Sequence, residues 1–108
     1  MAKQSKSGAG IDGLREAMAA HQAGRLDEAE GLYRRALKIG GKQFPVLMML
    51  GMLSAQRGKL EEAERLLRSA LAINPDNADV RFNYGNVLLG LQRFDEAFEA
   101  FGNALALN

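Results

Sequence analysis

The chain has 108 residues, room for one small domain, and its 47% apolar content can supply a core, which excludes a wholly disordered chain. Its 14 basic and 13 acidic side chains leave a net charge of +1, which excludes a protein whose main task is to coat nucleic acid, because phosphate binding needs concentrated positive charge. With no cysteine present, disulfides and thiolate metal sites are excluded too, and a reducing compartment is compatible.

Residues 1–9 are faintly basic, and no apolar stretch follows them as a secretory signal would require. They read as a flexible tail. No uninterrupted apolar run of about 18 residues exists to span a bilayer, so the expected setting is the cytoplasm, with no membrane partner. From there the pattern predicts six helices, over residues 11–23, 27–39, 44–57, 61–74, 78–91 and 95–107. Pro45 stands near the start of the third, where a missing amide costs nothing. Gly24, Gly58 and the stretch from Gly90 to Gln92 break the chain within successive helix pairs. Asn74-Pro75-Asp76-Asn77 closes the fourth helix and opens the fifth.

The pairs repeat. Leu26-Asp27-Glu28-Ala29-Glu30 returns as Leu60-Glu61-Glu62-Ala63-Glu64 and again as Phe94-Asp95-Glu96-Ala97-Phe98, at an offset of 34 residues both times. Tyr33, Leu67 and Phe101 obey the same offset, as do Ala36, Ala70 and Ala104, and Leu37, Leu71 and Leu105. Ahead of them Ala17, Gly51 and Gly85 form a column of small residues. Helices packed at close range need small side chains where their axes approach, with larger ones filling the adjacent hollows. Leucine at Gly51 is expected to overpack such a contact, at a cost of about 1–3 kcal/mol. The acidic pairs Asp27/Glu28, Glu61/Glu62 and Asp95/Glu96 face the positive end of each second helix, a modest stabiliser.

With these columns the chain resembles the tetratricopeptide repeat family, in units 10–43, 44–77 and 78–108. The family has a small residue at the eighth position (Ala17, Gly51, Gly85) and alanine at the twentieth (Ala29, Ala63, Ala97). An aromatic follows at the twenty-fourth, where Tyr33, Leu67 and Phe101 stand, and alanine at the twenty-seventh (Ala36, Ala70, Ala104). The sequence departs from the pattern at the eleventh position, with Ala20, Ser54 and Leu88, and Gly41 stands where Pro75 fits. The resemblance implies an all-α, right-handed superhelical stack of three antiparallel helix pairs, whose concave face is lined by the first helix of each pair and holds peptides or helices of other proteins. Bacterial chains of this kind often precede a glycosyltransferase or sulfotransferase domain, so a recognition segment of a larger enzyme is the alternative setting.

By the same resemblance, the residues facing the groove are Ile11, Leu14, Met18, His21 and Gln22 in the first unit. Met48, Met49, Met52 and Gln56 follow in the second, with Pro45 and Ala55, and Asp79, Phe82, Asn83 and Asn86 in the third, with Leu89 and Gly90. The carboxylate clamp for chaperone tails does not match, because Leu14 and Met18 stand where lysine and asparagine are needed. An asparagine ladder fails as well: Arg15 and Met49 interrupt it, leaving Asn83 alone. What remains is a methionine-rich apolar trough, suited to an amphipathic helix. The competing reading is that the methionines pack within the chain itself.

The last helix carries Phe94, Phe98, Phe101 and Leu105, with Phe98 replacing Glu30 and Glu64 of the earlier units, and no polar capping helix follows. Either the chain is cut from a longer array or a second copy covers this end; both leave apolar surface over residues 95–107. Nothing points to catalysis. His21 is the sole histidine, the acidic pairs recur at one structural place, and no phosphate-cradling glycine loop occurs, so no catalytic residue, metal or cofactor is expected.

Overall fold

The computed structural model describes residues 6–107, with side chains from residue 13 onward. Six helices follow one another: α1 (Lys6–Gln22), α2 (Leu26–Gly40), α3 (Phe44–Gln56), α4 (Leu60–Ile73), α5 (Ala78–Gly90) and α6 (Phe94–Leu107). Five boundaries sets lie within a residue of expectation. The first does not: α1 begins at Lys6, inside the segment read as a tail, because no proline stops the helix from extending backward through residues 6–10. Residues 1–5 lie outside the described part. Among the described residues no helix is long and apolar enough to cross a membrane.

Each unit is a hairpin of two helices held by a small-against-large contact. A Cβ placed on Gly51 would stand 2.8 Å from Leu67, and one on Gly85 would stand 2.6 Å from the Phe101 ring. Both glycines are therefore spacers that let a bulky neighbour reach the facing helix axis. In unit one Ala17 serves instead, fully buried beside the cluster that holds Tyr33. The hairpin turns repeat a left-handed residue: Gly24 at φ 80°, Gly58 at φ 79° and Gln92 at φ 62°. Glutamine in that conformation is strained where glycine is not.

The units stack because the first helix of one fits against the second helix of the unit before. Leu50 and Leu53 of α3 join Tyr33, Ala17 and Ala29 in one cluster; Val80 and Val87 of α5 join Leu67, Ala70 and Leu71 in the next. Having neighbours on both sides, α3 buries Val46, Leu47, Leu50, Leu53 and Ser54. Polar latches cross the same joints. Glu30 receives Arg34 at 3.0 Å, Arg57 at 3.2 Å and Lys59 at 3.1 Å. One unit later Glu64, buried, accepts a hydrogen bond from the Tyr84 hydroxyl at 2.7 Å and has Arg68 at 3.6 Å and Arg93 at 4.0 Å. Asn77 caps α5 by accepting from the Val80 amide at 2.9 Å. The result is an all-α, right-handed superhelical stack of antiparallel helix pairs.

Candidate functional site

The first helices α1, α3 and α5 line one side of the stack, and the side chains expected there divide into three groups. One group is drawn into the packing. Leu14, Met18 and Met49 are half-buried against the cluster of units one and two, and Met48 is half-buried against the cluster of units two and three. The side chain of Ile11 lies outside the described residues. Helix α3 is apolar nearly all round, with only Ser54 and Gln56 breaking the run, so a methionine can face the trough and still rest on the core.

The second group forms a hollow. Met52, Ala55 and Gln56 of α3 and Asn83, Asn86 and Val87 of α5 make its walls, over Leu60 and Leu67 of α4, around a volume of about 340 Å³. Apolar side chains form the floor and three amides rim it. No residue in this lining carries a charge or a titratable group, so it offers contact and hydrogen bonding rather than acid–base chemistry. Leu60 and Leu67 read in the sequence as packing-column residues rather than as lining, and Val87 carried no signal there.

His21 ties the first unit to this wall. Its Nε2 lies 2.8 Å from Gln56 Oε1 and its Nδ1 lies 3.0 Å from the Tyr33 hydroxyl, with the two rings edge to face at 5.9 Å. With the amide oxygen as acceptor, Nε2 carries the proton and Nδ1 accepts from the phenol. Burial pushes Tyr33 up to about 12, so that hydroxyl keeps its proton for the bond. Gln22, next to His21, is exposed.

The third group faces the end of the stack rather than the hollow. Asp79 and Phe82 join Ala78, Phe101, Ala104 and Leu105 around a separate cavity of about 420 Å³ between α5 and α6. Phe82 meets the Phe101 ring edge to face at 5.5 Å. Along α6 Phe94, Phe98 and Leu105 are 53%, 77% and 75% exposed, whereas Phe101 is half-buried over Gly85. Among the described residues no group of three histidine, aspartate or glutamate side chains converges to hold a metal ion.

The sequence model of the tetratricopeptide repeat family matches residues 20–69 and again 54–108. No curated protein matches the chain by sequence. Among solved structures it is similar to MamA AMB-1, at 34% identity and a TM-score of 0.83 over 89% of this chain. It spans 52% of that chain, about half its length. The second repeat domain of Spaghetti (RPAP3), bound to the HSP90 peptide SRMEEVD, superposes with a TM-score of 0.87 at 20% identity, over 92% of each chain. An O-GlcNAc transferase mutant of Thermobaculum terrenum reaches a TM-score of 0.90 at 27% identity, over 99% of this chain and 21% of that one.

Proposed function

The chain belongs to the tetratricopeptide repeat family, and on that premise we propose that it is a protein-interaction scaffold whose hollow between α3 and α5 receives an uncharged, apolar-led segment of another polypeptide, in the form of an amphipathic helix. The observation that carries this reading is the lining: five apolar side chains and three amides, with no lysine or arginine to meet a carboxylate. An acidic tail such as SRMEEVD, held by the Spaghetti domain, would leave its charges unpaired here. Met52 supplies an adaptable apolar contact, and Gln56, Asn83 and Asn86 suit the backbone or polar edge of a seated helix. Groove residues packed into the core, Met48 above all, shape the wall without being its contact points.

The test is fluorescence anisotropy with two labelled peptides, an apolar amphipathic helix and SRMEEVD, against the wild-type chain and Met52→Asp. The helical peptide is expected to bind more tightly than SRMEEVD. Met52→Asp is expected to weaken it roughly tenfold or more, the scale of a central contact residue. Equal binding by wild type and Met52→Asp overturns the reading. A second reading, that the three units form the recognition segment of a larger enzyme, draws on the likeness to the transferase over 99% of this chain; coding sequence continuing into a catalytic domain beyond Asn108 would support it.

A further inference from the structure

We propose that the end face of α6 is a two-fold interface between two copies of this chain, with the α6 helices antiparallel. This face is separate from the hollow between α3 and α5. Phe94, Phe98, Phe101 and Leu105 follow one another at spacings of four, three and four residues, and on a helix such positions fall within one narrow stripe. The order of spacings reads the same in both directions. Two such helices laid antiparallel therefore set Phe94 opposite the partner's Leu105 and Phe98 opposite the partner's Phe101, and each pairing occurs twice.

The face also carries both halves of a fit. Phe94 and Phe98 are exposed outside the cavity of about 420 Å³ walled by Phe82, Phe101, Ala104 and Leu105. The antiparallel pairing sets them opposite the partner's Leu105 and the partner's Phe101 of that wall, so each copy offers knobs and a hole to the other. Asp79 is the polar exception at its rim. Asp95, Glu96 and Glu99 are exposed and turned around the helix from the stripe, so the pairing brings no acid onto acid.

Other occupants fit this chain's own pattern less well. Thirty-four residues earlier the same seat, Leu67, Ala70 and Leu71, already holds α5 of the next unit, and there Glu64 receives Tyr84 and Arg93 across the joint. At the end face Phe98 replaces that glutamate, so a further repeat would find no latch for its hydroxyl or base. Nor does the front edge of a second copy fit. The register positions that α3 and α5 fill with Val46, Leu50, Leu53 and Val80, Tyr84, Val87 hold Asp12, Glu16 and Ala19 in α1, and seating those acids on Phe101 and Leu105 would desolvate them unpaired.

Sedimentation of the wild-type chain is expected to show a monomer–dimer equilibrium with a dissociation constant in the micromolar range, and Phe98→Glu is expected to weaken it roughly tenfold or more while circular dichroism stays unchanged. Because the chain has no cysteine, engineered thiols report the geometry. Phe94→Cys mixed with Leu105→Cys should form a disulfide-linked pair, whereas each alone should not, since like positions stand about 16 Å apart in the antiparallel arrangement. A clean monomer at high micromolar concentration overturns the proposal and leaves the face to a different chain. So does a dimer that survives Phe98→Glu, or cross-linking of each cysteine variant with itself.

Discussion

The joint between units one and two and the joint between units two and three place a glutamate at the same point of the repeat and use it differently. Glu30 is half-buried and gathers Arg34, Arg57 and Lys59, all of which reach solvent. Glu64 is buried, and its shortest contact is the neutral hydroxyl of Tyr84 at 2.7 Å. Burial alone would raise Glu30, but the hydrogen bonds from Lys59 and Arg34 outweigh it and hold the carboxyl below its ordinary 4.5. Burial, aided by the bond to Glu64, pushes Tyr84 up to about 12 from 10.0. One register thus carries two latches. The first is ionic and open to water and salt, and the second centres on a buried carboxylate bonded to a half-buried tyrosine, with Arg68 and Arg93 farther off. The second joint is therefore expected to be the more costly to break and the less sensitive to screening.

Four measurements sharpen or break that contrast. Glu64→Ala leaves the Tyr84 hydroxyl without its acceptor beside Leu67 and Val87, and a loss of about 1.5–3 kcal/mol in urea unfolding is expected; a loss no larger than that of Glu30→Ala would erase the distinction. Tyr84→Phe keeps the ring and removes the bond, with an expected cost of about 0.5–1.5 kcal/mol. It also tests the alkaline limb. A phenol raised in the folded state contributes stability that is complete below its unfolded value of 10.0 and is lost as pH climbs toward 12. Tyr84→Phe should flatten that decline in part, and Tyr33, also raised, should supply the rest.

The third measurement concerns the turns. Gly24 and Gly58 take the left-handed conformation freely, but Gln92 does not, so Gln92→Gly should raise the urea midpoint by the equivalent of about 0.5–1 kcal/mol. Smallest is Glu30→Gln, expected to cost less than about 1 kcal/mol. Its signature is the pH dependence. A carboxyl depressed in the folded state contributes stability present above 4.5 and lost as pH falls through its lower folded value. The variant should lose that acid-side slope, and high salt should shrink the difference between it and the wild type.

The repeat could be read before any coordinates because its columns carry opposite sizes: Ala17, Gly51 and Gly85 against Tyr33, Leu67 and Phe101 allow few arrangements other than nested hairpins. The helix ends followed from Gly24, Gly58 and Pro75. The latches could not be read. Arg57 and Lys59 stand 27 and 29 residues from Glu30, and nothing local marks them as its partners. The left-handed turn at Gln92 was hidden because the glycine column lapses there. The groove was legible only as a face: α3 is apolar on every side, so periodicity cannot say that Met52 borders the hollow while Met48 and Met49 lean on the core. Phe82 looked like a groove residue by position, and its contact with Phe101 depends on an aromatic one unit-half further along.

Units one and three share no close backbone approach: among the described residues α1 and α2 pack on each other and on α3, with one side-chain bond from Arg34 to Glu62 of α4 at 2.8 Å, while α5 and α6 pack on each other, α3 and α4. Cohesion is therefore passed along a line, and opening one extremity takes nothing directly from the other. Amide protons of α3 and α4, flanked on both sides, should exchange last, and those of α6 should exchange early. The molecule then responds to stress by fraying inward toward its middle hairpin, and a partner that clasps one extremity slows the fraying of that side alone.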